Sequence, residues 1–86
     1  MTIIYDVVVK RHHTGNTVCL FYDEDREKAI DYMEKYRKRN GFSIEEKGKR
    51  YSIADLILRE REATGKVISE TPYHKLFDTV TDKMIR

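Results

Sequence analysis

Apolar residues recur at every second position near the start of the chain. Ile3, Tyr5, Val7 and Val9 would share one side of an extended segment over residues 2–10, while Ile4 and Val8 share the other with Asp6 and Lys10. Residues 17–22 repeat the pattern, with Val18, Leu20 and Tyr22 opposing Thr17, Cys19 and Phe21. Both segments are rich in the β-branched and aromatic residues that suit a pleated surface. His12-His13-Thr14-Gly15-Asn16 between them ends in a Gly-Asn pair able to take positive φ, so a β-hairpin is expected.

The period then changes from two to between three and four. Ala29, Ile30, Met33 and Tyr36 form a helical stripe with Tyr32 beside it, and Glu34 with Lys38 adds an ion pair one turn apart. Asp23-Glu24-Asp25 sits where helix N–H groups are free to donate, which sets the start. Lys35, Arg37, Lys38 and Arg39 crowd the last turn, and Asn40-Gly41-Phe42 reads as the C-terminal cap.

Residues 42–47 read as a short strand that turns back at Lys47-Gly48-Lys49. Residues 52–63 admit two drawings. Ser52 and Asp55 stand at capping-box spacing ahead of Ile53, Leu56 and Ile57, which favours a helix. The connection Ala63-Thr64-Gly65-Lys66 and the β-type run Val67-Ile68-Ser69 favour a strand, which we prefer. In that strand Ala54, Leu56 and Leu58 face the core, and residues 59–62 extend the hairpin as an exposed charged tip. Thr71-Pro72 then opens a C-terminal helix carrying Leu76, Phe77, Val80 and Met84. The expected architecture is a single α+β domain over residues 1–86, in the order β-β-α-β-β-β-α, with a mostly antiparallel sheet and the helices packed on one face.

With 86 residues, 40% hydrophobic and 37% charged, the chain has material for one modest core and little surplus to shape a deep pocket. One cysteine allows no internal disulfide, and no segment approaches the roughly 18 apolar residues of a membrane span, so a cytoplasmic, non-membrane location is expected. The net charge of +2 conceals a polarity: residues 35–50 hold seven Lys/Arg against two Asp/Glu, whereas residues 1–34 hold four against seven.

The α-β-β-β-α succession from Asp23 onward resembles that of double-stranded RNA-binding domains. Those domains gather lysines at the start of the last helix, and Pro72-Tyr73-His74-Lys75 offers one, so the resemblance covers the order of elements and transfers no functional residue.

No chemistry is forced by a motif. His12 and His13 would point to opposite sides of a strand, His74 is remote in sequence, and no ligand spacing joins them to Cys19, so neither metal nor cofactor is expected. Cys19 in an apolar strand reads as a buried, inert thiol. Asp23, Glu24, Asp25 and Glu27 are accounted for by helix capping, and the glycines fall singly in turns, which leaves no phosphate loop. The chain therefore reads as non-enzymatic, acting through a protein partner or a second copy of itself by way of strands that are apolar on both faces. The alternative is nucleic-acid binding through Lys35, Arg37, Lys38, Arg39, Lys47, Lys49 and Arg50, with Tyr5, Tyr36 or Tyr51 stacking on bases.

Overall fold

The β-branched run at the start of the chain forms β1 (Ile3–Arg11), which turns into β2 (Thr17–Asp23). The computed structural model describes residues 2–12, 15–78, 81, 83 and 84, so His13, Thr14 and Val80 lie outside the described residues. Asp25 caps α1 (Arg26–Asn40): its carboxylate accepts from the Glu27 N–H at 2.9 Å, and Asp23 accepts from the Asp25 N–H at 2.8 Å. At the other end the Gly41 N–H donates to the Arg37 carbonyl, with Gly41 at φ 62° and ψ −138°, a conformation that suits a residue without Cβ.

The chain continues through β3 (Ser43–Glu46), β4 (Lys49–Glu62) and β5 (Val67–Pro72) to the single turn α2 (Tyr73–Leu76). All pairings are antiparallel, in the order β2-β1-β4-β3, with β5 also on β4. The result is a small mixed domain built on a mostly antiparallel, curled sheet. β4 organises it: residues 49–52 pair with β3, residues 57–61 with β5, and residues 53–62 with β1.

The core gathers Val7 and Val9 of β1, Ala29, Ile30 and Met33 of α1, Ile53, Leu56 and Leu58 of β4, and Tyr73, Leu76 and Phe77 at the end of the chain. Phe77 stacks on Tyr73 with ring centroids 4.6 Å apart, and Phe42 meets Tyr73 edge-on. The sheet thus shares one core with α1 and α2. Asp6, Val8 and Ile57 are also buried, yet stand outside this cluster. They belong to the alternate positions of β1 and β4, whose side chains point the other way.

Three expectations need correction. A register shift where Lys10 faces Asp55 but Arg11 faces Ile53 brings Ile53 into the core and leaves Ala54 exposed. The C-terminal helix stops after one turn. Pro72 is still in the ladder opposite Ile57, and Phe77 is extended, bridges Met84 and buries its ring, which a continuing helix would turn elsewhere. Residues 59–62 are not an exposed tip, because Arg59 and Arg61 lie folded along the sheet.

Candidate functional site

The basic residues singled out in the sequence divide between two places. Lys35, Arg37, Lys38 and Arg39 end α1, while Lys47, Lys49 and Arg50 surround the β3–β4 turn. Much of this charge is matched locally. Lys35 pairs with Asp31 and Lys38 with Glu34, each at 2.9 Å along the helix, and Lys49 and Arg50 stand opposite Glu46 and Glu45. The Arg37 guanidinium lies 4.5 Å from the Phe42 ring centroid and 5.8 Å from that of Tyr73, so it packs as much as it charges the surface.

Lys35 and Arg39 line a shallow depression with Tyr32, Tyr36 and Asn40. Tyr36 donates to the Ser43 carbonyl at 2.6 Å, and its ring belongs to a ladder in which Tyr32 stacks on Phe21 at 4.7 Å. Burial, then Tyr32, raise the Tyr36 phenol above its ordinary value, against the opposing charge of Arg50. Tyr5 is half-buried and donates to Glu60 at 3.4 Å, while Tyr51 is 45% exposed and lines a different cleft.

A second arrangement has no counterpart in the sequence reading. Asp6 is wholly buried at the middle of β1, and its Oδ2 accepts from Arg59 Nε at 3.0 Å and Arg61 Nε at 2.6 Å. The register explains the grip. Asp6 faces Arg59 across the β1–β4 ladder, and Arg61, two residues on, points to the same side. Oδ1 looks toward Cys19, whose sulfur is 3.9 Å away and also donates to the Phe21 carbonyl at 3.4 Å.

Cys19 is exposed, which corrects the expectation of a buried thiol. A shift of pairing between Val7 and Val8 gives β2 an extra residue, Leu20, and turns Cys19 to the same side as Val8. Desolvation of the sulfur, then the Asp6 carboxylate, push the thiol above its ordinary value, which favours the protonated, weakly nucleophilic form. Among the described residues no group of three or more His, Cys, Asp or Glu could hold a metal ion.

Around the Asp6 cluster the sheet carries Tyr22 opposite Asp6 and Val67 opposite Arg61, with Ile68 in the adjoining bulge. These three are 67%, 46% and 49% exposed, large apolar side chains left at the surface. Lys10 with Asp55 and Arg59 with Glu70 complete the face as cross-strand pairs of opposite charge.

The sequence held two signals for this site: a carboxylate inside an apolar strand, and two arginines at the two-residue spacing that puts both on one side of a strand. They lie 53 and 55 residues from Asp6, so only strand pairing could connect them. No helix among the described residues is long and apolar enough to cross a membrane. No protein family, curated protein or solved structure matches the chain.

Proposed function

We propose that this protein is a non-enzymatic association module, and that the sheet face centred on Asp6 pairs with the same face of a second copy. The carrying observation is the juxtaposition of Tyr22, Val67 and Ile68, all exposed, with a fully buried carboxylate and its two arginines on a side that contributes nothing to the helix-bearing core. Exposed apolar groups gain from leaving water, and because Asp6 and its two arginines are already paired within the chain, covering them strands no lone charge.

A second copy fits this surface better than a strongly charged partner. The face holds Lys10, Arg59 and Arg61 against Asp6, Asp55 and Glu70, so its charges balance and no net repulsion opposes the approach of a second copy. The domain measures 39 × 29 × 17 Å, and a broad face of such a body can supply the roughly 800 Å² that each partner gives to a standard interface. β2 and β5, each paired with one neighbour only, bound the sheet with open edges.

Sedimentation across a concentration series tests this. A dimer that dissociates on Tyr22→Glu or Ile68→Glu, with unchanged circular dichroism, is the expected result. A monomer at every concentration up to about millimolar overturns it, since specific weak dimers form well below that.

The second reading, nucleic-acid binding, is favoured by one observation: Tyr32, Lys35, Tyr36 and Arg39 share a depression. Fluorescence anisotropy of labelled single- and double-stranded DNA and RNA across a salt series separates the two. Steeply salt-dependent binding lost in an Arg39→Glu, Arg50→Glu variant would promote that reading, because phosphate contacts release counterions and an apolar interface does not.

A further inference from the structure

Arg11, at the end of β1, reaches over the sheet to the β3–β4 hairpin, where its Nη2 donates to Glu46 Oε1. The two lie 35 residues apart and close one wall of a cleft of about 300 Å³. His12, Ile44, Lys47, Tyr51 and Ser52 complete the lining. Ile44 is buried, and the Tyr51 ring is half open to solvent. A volume of this size is at the lower end of pockets that hold small molecules.

The guanidinium is only half used. Its Nε is buried and has no protein acceptor among the described residues, while the adjacent Nη2 serves Glu46 alone. Nε and Nη2 lie on the same edge of the guanidinium, the edge that grips two oxygens of one oxyanion in the side-on bidentate mode. Glu46 therefore meets half of a two-pronged donor, and a buried donor without an acceptor is costly. An incoming oxyanion that took both prongs would replace one bond by two and release Glu46 toward solvent, where its side chain is already 29% exposed.

We propose that this cleft binds a small organic anion with a flat apolar body, of the aryl carboxylate or aryl phosphate class. Arg11 anchors the oxyanion, Glu46 is the resident competitor that the ligand displaces, and the ring rests against Tyr51 and Ile44. Lys47 adds positive charge to the lining. The site shares no residue with the face around Asp6 and does not depend on self-association.

The test is a titration of isotope-labelled protein with phenyl phosphate, benzoate and inorganic phosphate, followed by NMR at the Arg11 Nε–H and the Tyr51 and Ser52 amides. Saturable shifts at these groups with the aryl anions are expected. Arg11→Lys keeps the charge but loses the fork, and should weaken binding about tenfold. Glu46→Gln should strengthen it by at least about threefold, because the competitor no longer carries charge. Three results would overturn the proposal: no saturable shift below about 10 mM, a Glu46→Gln variant that binds no better, or inorganic phosphate binding as tightly as phenyl phosphate. Each variant is checked by its amide spectrum, so a failure to fold is not mistaken for a failure to bind.

Discussion

The two sides of the sheet are closed by opposite means. On one, Val7, Val9, Leu56 and Leu58 meet α1 and the Tyr73–Phe77 segment in an apolar core. On the other, Asp6, Val8 and Ile57 are buried with no part in that core, and Arg59 and Arg61 fold across the carboxylate at their centre. The first side gains from removing apolar area from water, a non-directional effect that tolerates substitutions of similar volume. The second depends on direction: two guanidinium groups have to reach a single oxygen, and losing one partner leaves charge without a match. A domain of this size can thus cover one side with helix and stem the other with long cationic side chains, whose methylenes shield apolar neighbours while the charged ends are satisfied. What such a cover leaves outside, Tyr22, Val67 and Ile68, is available to another molecule.

Substitutions on the two sides break this comparison in different ways. Leu56→Ala, on the helix-bearing side, should cost about 3 to 4 kcal/mol in urea unfolding, since it removes fully buried volume that its neighbours cannot refill. Asp6→Asn should cost about 3 kcal/mol, at the low end for a broken buried ion pair because the arginine side chains keep 22–23% exposure and can partly turn to solvent. If Asp6→Asn proved neutral while Leu56→Ala did not, the charged cover would be dispensable and the contrast between the sides would fail.

Smaller effects sharpen the picture. Replacing either Arg59 or Arg61 with Met should cost about 1.5 kcal/mol, and the double replacement should depart from the sum, because both act on one oxygen of Asp6. Additive losses would mean that the arginines are independent surface groups.

The smallest predicted effect is a pH slope. The Cys19 thiol is raised above its ordinary 9.0 by desolvation and then by Asp6, so the folded state holds the proton more tightly than the unfolded chain. Its contribution to stability is fully present below pH 9.0 and is lost as pH rises through the folded value. Tyr36 acts with the same sign from 10.0 upward. Urea midpoints measured from about pH 8 into the alkaline range should fall, and Cys19→Ser should flatten the early part of that fall. An unchanged slope in the serine variant would place the whole effect on other groups.

Local elements were legible in proportion to the locality of their causes. The stripe Ala29, Ile30, Met33 and the carboxylates before it specified α1, because a helix is held by contacts three and four residues apart. The alternation over β1 and the turn residues before β2 specified a hairpin for a similar reason. Residues 52–63 were ambiguous, since capping-box spacing and strand alternation coexist there; pairing with β1 on one side and β5 on the other decided for a strand. The C-terminal helix was over-extended because Leu76, Phe77 and Met84 have helical spacing, whereas burial of the Phe77 ring against Tyr73 governs that segment.

The sequence by itself determined a single small mixed domain, where its helix begins and ends, and which residues alternate on β1; on β2 the expected alternation broke, with Phe21 turned to the core and Tyr22 and Cys19 to the Asp6 side. Tertiary structure alone decided which polar groups meet. Register shifts at Val7–Val8 and Lys10–Arg11 chose the sides taken by Cys19 and Ile53, and pairing across more than fifty residues brought Arg59 and Arg61 to Asp6. A one-residue change of register sends a side chain to the opposite face, and nothing local in the sequence records such a change. The cleft between Arg11 and Glu46 has the same origin: each residue is an ordinary charge on its own strand, and becomes half of a site only when β4 carries β1 and β3 together.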